Sequence, residues 1–398
     1  MLIASALLWA LALPFFAASA YLGVATAISL CPRRAPPRGQ SRLRFDVIVP
    51  AHNEERSIAQ TVSGLFGLEW PADARRIVVV ADNCSDATAA AACAAGALVW
   101  ERSEPARFGK GFALEFAFAR SLKEGFADAL VVVDADTRVA PDLLRVFAAH
   151  LEGGAAAVQA DYRVRNPHDS WRTWLMAIAF GAFHGVRSMA RERLGLSTGL
   201  RGNGMCFSAA LMRAVPHGAH SIVEDVEFGI ALGRVGYRVA YAHDARVFGE
   251  MVSAERASRS QRRRWEAGRG AVARKWVGPL LREALHRRSA VLADLAVDLL
   301  LPPLGWIAAG VALGWVCSVG VAAGGGGARA AFAYTLAAFS LAAYVLRGWW
   351  LSETGARGLL HLALAPAYVG WKIALSLRRV RALQREWVRT ARSGEAPP

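Results

Sequence analysis

The chain has 398 residues, 54% hydrophobic and only 20% charged, with a formal net charge of +15. That balance excludes both an ordinary soluble enzyme and a pure transporter, and implies a polar domain joined to membrane segments. The cysteines Cys31, Cys84, Cys93, Cys206 and Cys317 form no CxxC pair, so neither a zinc site nor a disulfide framework is indicated, and a reducing compartment fits the polar domain.

Residues 2–30 carry no Lys, Arg, Asp or Glu and are long enough to cross a bilayer as a helix. The small residues Ala17-Ala18-Ser19-Ala20 allow a signal-peptide reading, but the basic leader is missing and positive charge follows from Arg33 instead. The expectation is an uncleaved anchor over 1–31, with its N-terminus outside and the next domain in the cytoplasm. The other Lys/Arg clusters, at 256–288 and 378–392, also flank apolar stretches, a placement typical of anionic lipid surfaces. No nucleic-acid motif accompanies them, so no nucleic-acid partner is expected.

A polar domain is expected over 41–250. The runs 45–49, 76–80 and 129–133 are nearly continuous apolar stretches and read as buried parallel strands. Helical periodicity over 58–66, 87–95 and 111–122 fills the gaps, giving βαβ units with right-handed crossovers. In such sheets ligands collect at the C-terminal ends of the strands. Basic amphipathic helices are expected over 251–303. Asp294 and Asp298 interrupt the apolar pattern of 290–301, which reads as an interfacial or protein-packed helix ending at Pro302-Pro303. Two spans are predicted over 304–323 and 330–350, separated by the Gly324–Gly327 turn. A third span at 358–377 would put the basic tail 378–398 outside, so a re-entrant or interfacial segment is expected there.

The strand ends carry the candidate chemistry. The first strand runs into Pro50-Ala51-His52-Asn53-Glu54-Glu55 and the second into Ala81-Asp82-Asn83-Cys84-Ser85-Asp86. Acidic and amide side chains there can accept from ribose hydroxyls and a base edge, although Asn53 or Ser85 could instead begin helices. After the third predicted strand, Asp134-Ala135-Asp136-Thr137 offers two carboxylates to one hard cation, Mg²⁺ or Mn²⁺, which would neutralise a leaving diphosphate. In 221–227, Glu224 or Asp225 could take the proton of an attacking hydroxyl; the alternative is an acidic first turn favoured by the helix dipole. Gln261-Arg262-Arg263-Arg264-Trp265 combines cations for a diphosphate with an indole for a sugar face, while lipid headgroups would explain the arginines equally well.

Taken in order, P-A-H-N-E at 50–54, Asp82, D-A-D at 134–136, E-D at 224–225 and Q-R-R-R-W at 261–265 resemble the inverting family 2 glycosyltransferases. The likeness is to the membrane-integrated branch containing cellulose, hyaluronan and poly-N-acetylglucosamine synthases, with ceramide glucosyltransferases as a similar relative. It covers the polar domain well and the membrane segments only in general layout.

The resemblance implies an α/β GT-A fold, a Rossmann-like cytoplasmic domain with transmembrane and interfacial helices. It implies donor contacts from Pro50, Ala51, Glu54 (ribose), Asp82 (nucleobase), Asp134 and Asp136, with Asp136 the better direct metal ligand. Lys110, in Gly109-Lys110-Gly111, matches a lysine often found there in relatives and joins the donor set. Asp225 would be the catalytic base with Glu224 beside it. Gln261, Arg264 and Trp265 would close over the diphosphate and acceptor end. Gly202-Asn203-Gly204 resembles the acceptor loop, its alternative being a plain tight turn.

Implied partners are a nucleotide-sugar donor, UDP expected, a divalent metal (Mg²⁺ or Mn²⁺), a lipid or glycan acceptor and membrane lipids, in a bacterial inner-membrane protein. Two departures stand out: Asn83 follows Asp82 where many relatives carry a second acid, and the spans are few for a secretion pore. The expected activity is metal-dependent, inverting transfer to a membrane-proximal lipid or growing glycan. The alternatives are a processive polysaccharide synthase subunit and an inactive membrane scaffold, and the scaffold would be expected to lack Asp136 or Asp225. No GxSxG, paired Cys/His set or GxGxxG after a strand supports a hydrolase or redox enzyme.

Overall fold

A computed structural model describes residues 2–32, 42–251, 255–325 and 328–377, with the backbone alone in 255–266 and in short stretches near both ends. Most of the basic stretch after the first helix, part of the Gly324–Gly327 turn and the tail 378–398 lie outside the described residues. The chain forms two units, one drawn from 2–32, 167–193 and 300–377, the other from 42–166 and 194–299.

The first helix, α1 (Leu2–Ser29), belongs to the apolar unit. The polar unit opens with β1 (Phe45–Ala51), α2 (Ile58–Phe66), β2 (Arg75–Asp82), α3 (Thr88–Ala94), β3 (Leu98–Arg102), α4 (Lys110–Glu124) and β4 (Ala129–Val132). β1 pairs in parallel with β2 on one side and β4 on the other, and β3 adds in parallel beyond β2. The three predicted strands are all present and parallel. A fourth, β3, was not predicted, because Leu98–Arg102 lies at the sheet edge and alternates exposed with buried residues. The strand leading to Asp134 is therefore fourth in the chain, not third.

Then follow β5 (Arg138–Val139), α5 (Leu143–Glu152) and β6 (Ala157–Val164). The chain next enters the apolar unit through α6 (Trp171–Phe180), a π-helical turn (Gly181–Val186) and α7 (Arg187–Arg193). It returns with β7 (Met205–Ser208), α8 (Ala209–Ala214), α9 (Glu224–Arg234), β8 (Val239–Gly249), α10 (Glu255–Arg287) and α11 (Ala290–Leu300). The sheet order is β3-β2-β1-β4-β7-β6-β8-β5, with β7 antiparallel to both β4 and β6.

Alternation along β1 explains its continuous apolar run. Val47 and Val49 face a layer containing Ile58, Leu65, Leu144 and Phe147, while Ile48 faces Leu114, Phe118, Phe228 and Leu232. Buried on both faces, each such Val or Ile stabilises the fold by about 1.5–3 kcal/mol relative to exposure. A third cluster joins α9, α10 and α11 through Val223, Ile230, Leu280, Leu292 and Leu295. Asp294 and Asp298 are buried, and Arg269 lies 3.7 Å from Asp298, so 290–300 is a protein-packed helix.

The apolar unit is completed by α12 (Leu304–Ala323), α13 (Arg329–Leu351), α14 (Gly355–His361) and α15 (Ala365–Leu377). Three helices are long and apolar enough to cross a membrane by length and composition, over Ala12–Ser29, Leu304–Ala323 and Arg329–Leu351. The segment 358–377 is broken by a 3-10 turn at Leu362–Leu364, and neither α14 nor α15 reaches the roughly 20 residues a crossing helix requires. Inside this unit the π-helical turn meets α13 so closely that a Cβ on Gly181 would lie 2.2 Å from the Gly348 carbonyl oxygen. Small residues permit such crossings between apolar helices.

Candidate active site

Pro50 and Ala51 complete β1, in register with Val80 and Ala81 of β2. The loops that follow adopt the left-handed backbone at Asn53 (φ +55°) and Asn83 (φ +50°), a conformation asparagine tolerates better than most residues. Both amides lace neighbouring loops together. Ser85 N–H donates to Asn53 Oδ1 (2.8 Å), and Glu104 N–H donates to Asn83 Oδ1 (2.7 Å). Neither Asn53 nor Ser85 begins a helix, since α2 starts after Ser57 and α3 after Ala87. Glu54 is fixed at both ends: its N–H donates to Thr88 Oγ1 (2.7 Å) and its carboxylate accepts from Ser57 Oγ (2.8 Å).

Asp82 ends β2, 2% exposed, with its Oδ1 2.5 Å from Arg102 Nη1 and 3.1 Å from Asn83 Nδ2. Its buried Oδ2 makes no hydrogen bond among the described residues. Its carbonyl oxygen lies 2.7 Å from His52 Nδ1, so this loop also ties back to β1. Arg102, the last residue of the unpredicted strand, is the functional neighbour that the sequence reading missed. The available signal was a cation closing the short stretch Leu-Val-Trp-Glu-Arg.

The sheet reverses its order of growth between β1 and β4, the place where open α/β sheets bind ligands. Asp134 and Asp136 follow β4 directly. Asp134 Oδ1 lies 2.5 Å from Nζ of Lys110, the first residue of α4, and Lys110 Nζ also donates to the Gly202 carbonyl oxygen (2.7 Å). Asp134 N–H donates to Asn203 Oδ1 (3.2 Å), and Asn203 Nδ2 donates to Thr137 Oγ1 (2.7 Å), stitching the Gly202-Asn203-Gly204 turn to the D-A-D-T loop. Gly204 N–H donates to the Val132 carbonyl oxygen (3.0 Å). The acidic start of α9 meets the same place. Glu224 Oε1 is 4.0 Å from Lys110 Nζ, and a Cβ on Gly202 (φ +76°) would lie 3.4 Å from Asp225 Oδ2. Lys110, Asp134, Gly202, Asn203, Glu224 and Asp225 thus form one cluster from four separate parts of the chain. The Asp136 carbonyl oxygen, 3.5 Å from Arg165 Nη1, borders it.

Burial governs the electrostatics here. It opposes the charge on Lys110, but Asp134, Glu224 and Asp225 outweigh it and raise the ammonium pKa to about 12. Burial pushes Glu224 up to about 8, Lys110 opposing and Asp225 adding to the rise. Asp225 is also raised by burial, against the Val226 N–H and the charges of Lys110 and Arg201. The Tyr162 phenol on β6 is raised by burial and then by Asp134 and Asp136, which brings a residue of no sequence prominence into the site. A carboxyl raised as far as that of Glu224, beside a second raised acid, suits proton transfer better than structural pairing.

Among the described residues no three His, Cys, Asp or Glu side chains gather as a preformed metal cage. Two hard carboxylates at one strand end, Asp134 and Asp136, nevertheless fit a Mg²⁺- or Mn²⁺-type ion that keeps waters and takes phosphate oxygens as further ligands. Gln261, Arg264 and Trp265 lie on α10, but their side chains are outside the described residues.

A mixed sheet with carboxylates at its switch point and an acidic helix start beside them defines a glycosyltransferase with a GT-A-like fold. Residues 42–268, more than half of the chain, match the family described as glycosyltransferase like family 2, and the chain belongs to that family. It is similar to "Probable glycosyltransferase YdaM" of Bacillus subtilis (strain 168), 26% identical over 270 residues, 63% of this chain and 60% of that one. It is also similar to glucomannan 4-beta-mannosyltransferase 2 of Arabidopsis thaliana, 26% identical over 255 residues, 59% of this chain and 46% of that one. The chain therefore spans 60% and 46% of the length of these two relatives. The mannosyltransferase PcManGT of Pyrobaculum calidifontis, solved with GDP-Man and Mn2+, shares the fold: TM-score 0.57 at 20% identity, over 87% of this chain and 99% of that one.

Proposed function

We propose that this chain transfers a sugar, with inversion, from a nucleoside diphosphate sugar to a lipid or growing glycan at a membrane surface. The observation that carries the reading is the single cluster in which Lys110 joins the β4-end carboxylate Asp134 to the Gly202 turn and the acidic start of α9. In this reading Asp225 takes the proton from the acceptor hydroxyl as that oxygen attacks the anomeric carbon, and Glu224 beside it holds a proton at neutral pH. Asp134 and Asp136 would hold a divalent ion, which when bound offsets the negative charge of the departing diphosphate. Glu54 and Asp82 face the ribose and base, and Gln261, Arg264 and Trp265 close the diphosphate and acceptor end. No side chain is needed as a covalent nucleophile, which favours one displacement over two. The three candidate spans support an integral membrane protein, and the positive charge after the first supports a cytoplasmic active site at a bacterial inner membrane.

UDP is the nucleotide the sequence resemblance favours. The GDP-Man bound by the Pyrobaculum enzyme puts GDP-sugars in the same assay. Membranes containing the protein are incubated with labelled UDP- and GDP-sugars, organic-phase lipid is separated from water-soluble polymer, and the product anomer is read by NMR. Inverted product in the lipid fraction is expected. A retained anomer would end the one-displacement mechanism, and labelled polymer alone would favour the processive alternative.

A further inference from the structure

We propose that Lys110 is a positioning residue for transfer, a cross-link that holds the Asp134 loop in register with the base at the head of α9, rather than a ligand of the donor. The inference rests on the transferase reading above. Lys110 Nζ reaches three places far apart in sequence: Asp134 Oδ1 at 2.5 Å, the Gly202 carbonyl oxygen at 2.7 Å and Glu224 Oε1 at 4.0 Å. Two of its three ammonium hydrogens are engaged by Asp134 and Gly202, and the side chain is only 17% exposed. Gly202 carries the link onward. A Cβ on Gly202 would lie 3.6 Å from Lys110 Nζ and 3.4 Å from Asp225 Oδ2, and its backbone sits in the left-handed region at φ +76°.

The same ammonium stands among Asp134, Glu224 and Asp225, so its loss would leave the acids of both loops without a shared cation. An arrangement of this kind governs how well the acceptor oxygen is aimed. Misplacement of about 1 Å at such a distance from the reacting atoms costs on the order of 100-fold in rate.

Lys110→Met and Lys110→Arg are compared in the full-length protein in detergent. Calorimetric binding of UDP and GDP with Mn²⁺ is measured beside kcat and KM. For Lys110→Met the expected result is a kcat roughly 100-fold lower with nucleotide affinity within about threefold of wild type, and Lys110→Arg should recover at least about a tenth of wild-type kcat. Nucleotide affinity that falls as far as kcat makes Lys110 a donor ligand and overturns the proposal, as does an unchanged kcat. Should the methionine variant not fold, Lys110→Gln, which retains an N–H for the Gly202 carbonyl, carries the same comparison. Hydrogen exchange reads the cross-link without turnover: peptides covering 200–205 and 222–228 should both exchange faster in the variant, and unchanged exchange overturns the proposal. If the wild type binds nucleotide but transfers nothing, the transferase reading fails while the exchange result still decides the cross-link.

Discussion

The two ends of the candidate site solve the problem of buried charge differently. Beyond β2 the buried carboxylate of Asp82 meets the Arg102 guanidinium, whose other nitrogen takes the exposed Glu104 (3.0 Å), and the surrounding turns are fastened by asparagine amides. Beyond β4, Asp134, Glu224 and Asp225 share Lys110, and both α9 acids are pushed toward protonation. A buried carboxylate held by a guanidinium has little reason to change state. Several acids around one cation yield groups whose protonation responds to a ligand, which is what a displacement needs.

The hardest blow to this contrast is delivered at α9. Asp225→Asn should lower kcat by about 10²–10⁴-fold, the usual contribution of a general base, while calorimetry finds nucleotide binding retained. Near wild-type turnover would remove the distinction between the two ends. Next in size, chelation should stop transfer and added Mn²⁺ restore it, and Asp136→Asn should weaken Mn²⁺-dependent nucleotide binding at least about tenfold. Metal-independent binding by that variant, equal to wild type, would take Asp136 out of the site.

The β2 end is tested through stability. Arg102→Met strands a buried carboxylate, at a cost of about 3–5 kcal/mol, which corresponds to a Tm loss of about 6–20 °C. Adding Asp82→Asn should return most of it. If the double variant melts as low as the single one, the pairing is not what fixes this end.

Protonation sharpens the comparison further. Glu224 titrates near 8 in the folded protein against an ordinary value of 4.5, so the folded state binds more protons between those values. Stability therefore falls as pH rises through that window, and Glu224→Gln should flatten the fall in Tm between pH 5 and 8. Parallel curves would place the titration elsewhere. The smallest effect is expected at Gly202→Ala, about 1–2 kcal/mol for an L side chain forced into the left-handed region at φ +76°. Denaturant midpoints measure it.

How much of this was legible in the sequence follows from physical causes. β1, β2 and β4 were visible because strands buried on both faces are uninterrupted apolar runs. β3 was not, since its exposed positions break the run, and with it went Arg102, whose guanidinium reaches Asp82 only in the folded chain. The antiparallel half left no such signature. β7 is four residues long and β8 continues past a register shift beside Asp161, so neither presents a clean period. The site residues could be nominated from motif order, but not their grouping. That Lys110 bonds Asp134 and Gly202 depends on α4 beginning beside the β4 end, which spacing along the chain does not encode. Tyr162 sits in an unremarkable strand, and only the fold brings its ring near Asp134 and Asp136.

If the turns after β1 and β2 hold the nucleotide as proposed, their interlocking has a consequence for engineering donor preference. Asn53 belongs to one turn yet grips Ser85 in the other, while His52 reaches back to the backbone of Asp82. Exchanging either turn alone with that of a differently selective enzyme would leave half of each fastening without its mate. A graft meant to retune which base is accepted must carry both turns together, as a matched pair of keys cut for one lock.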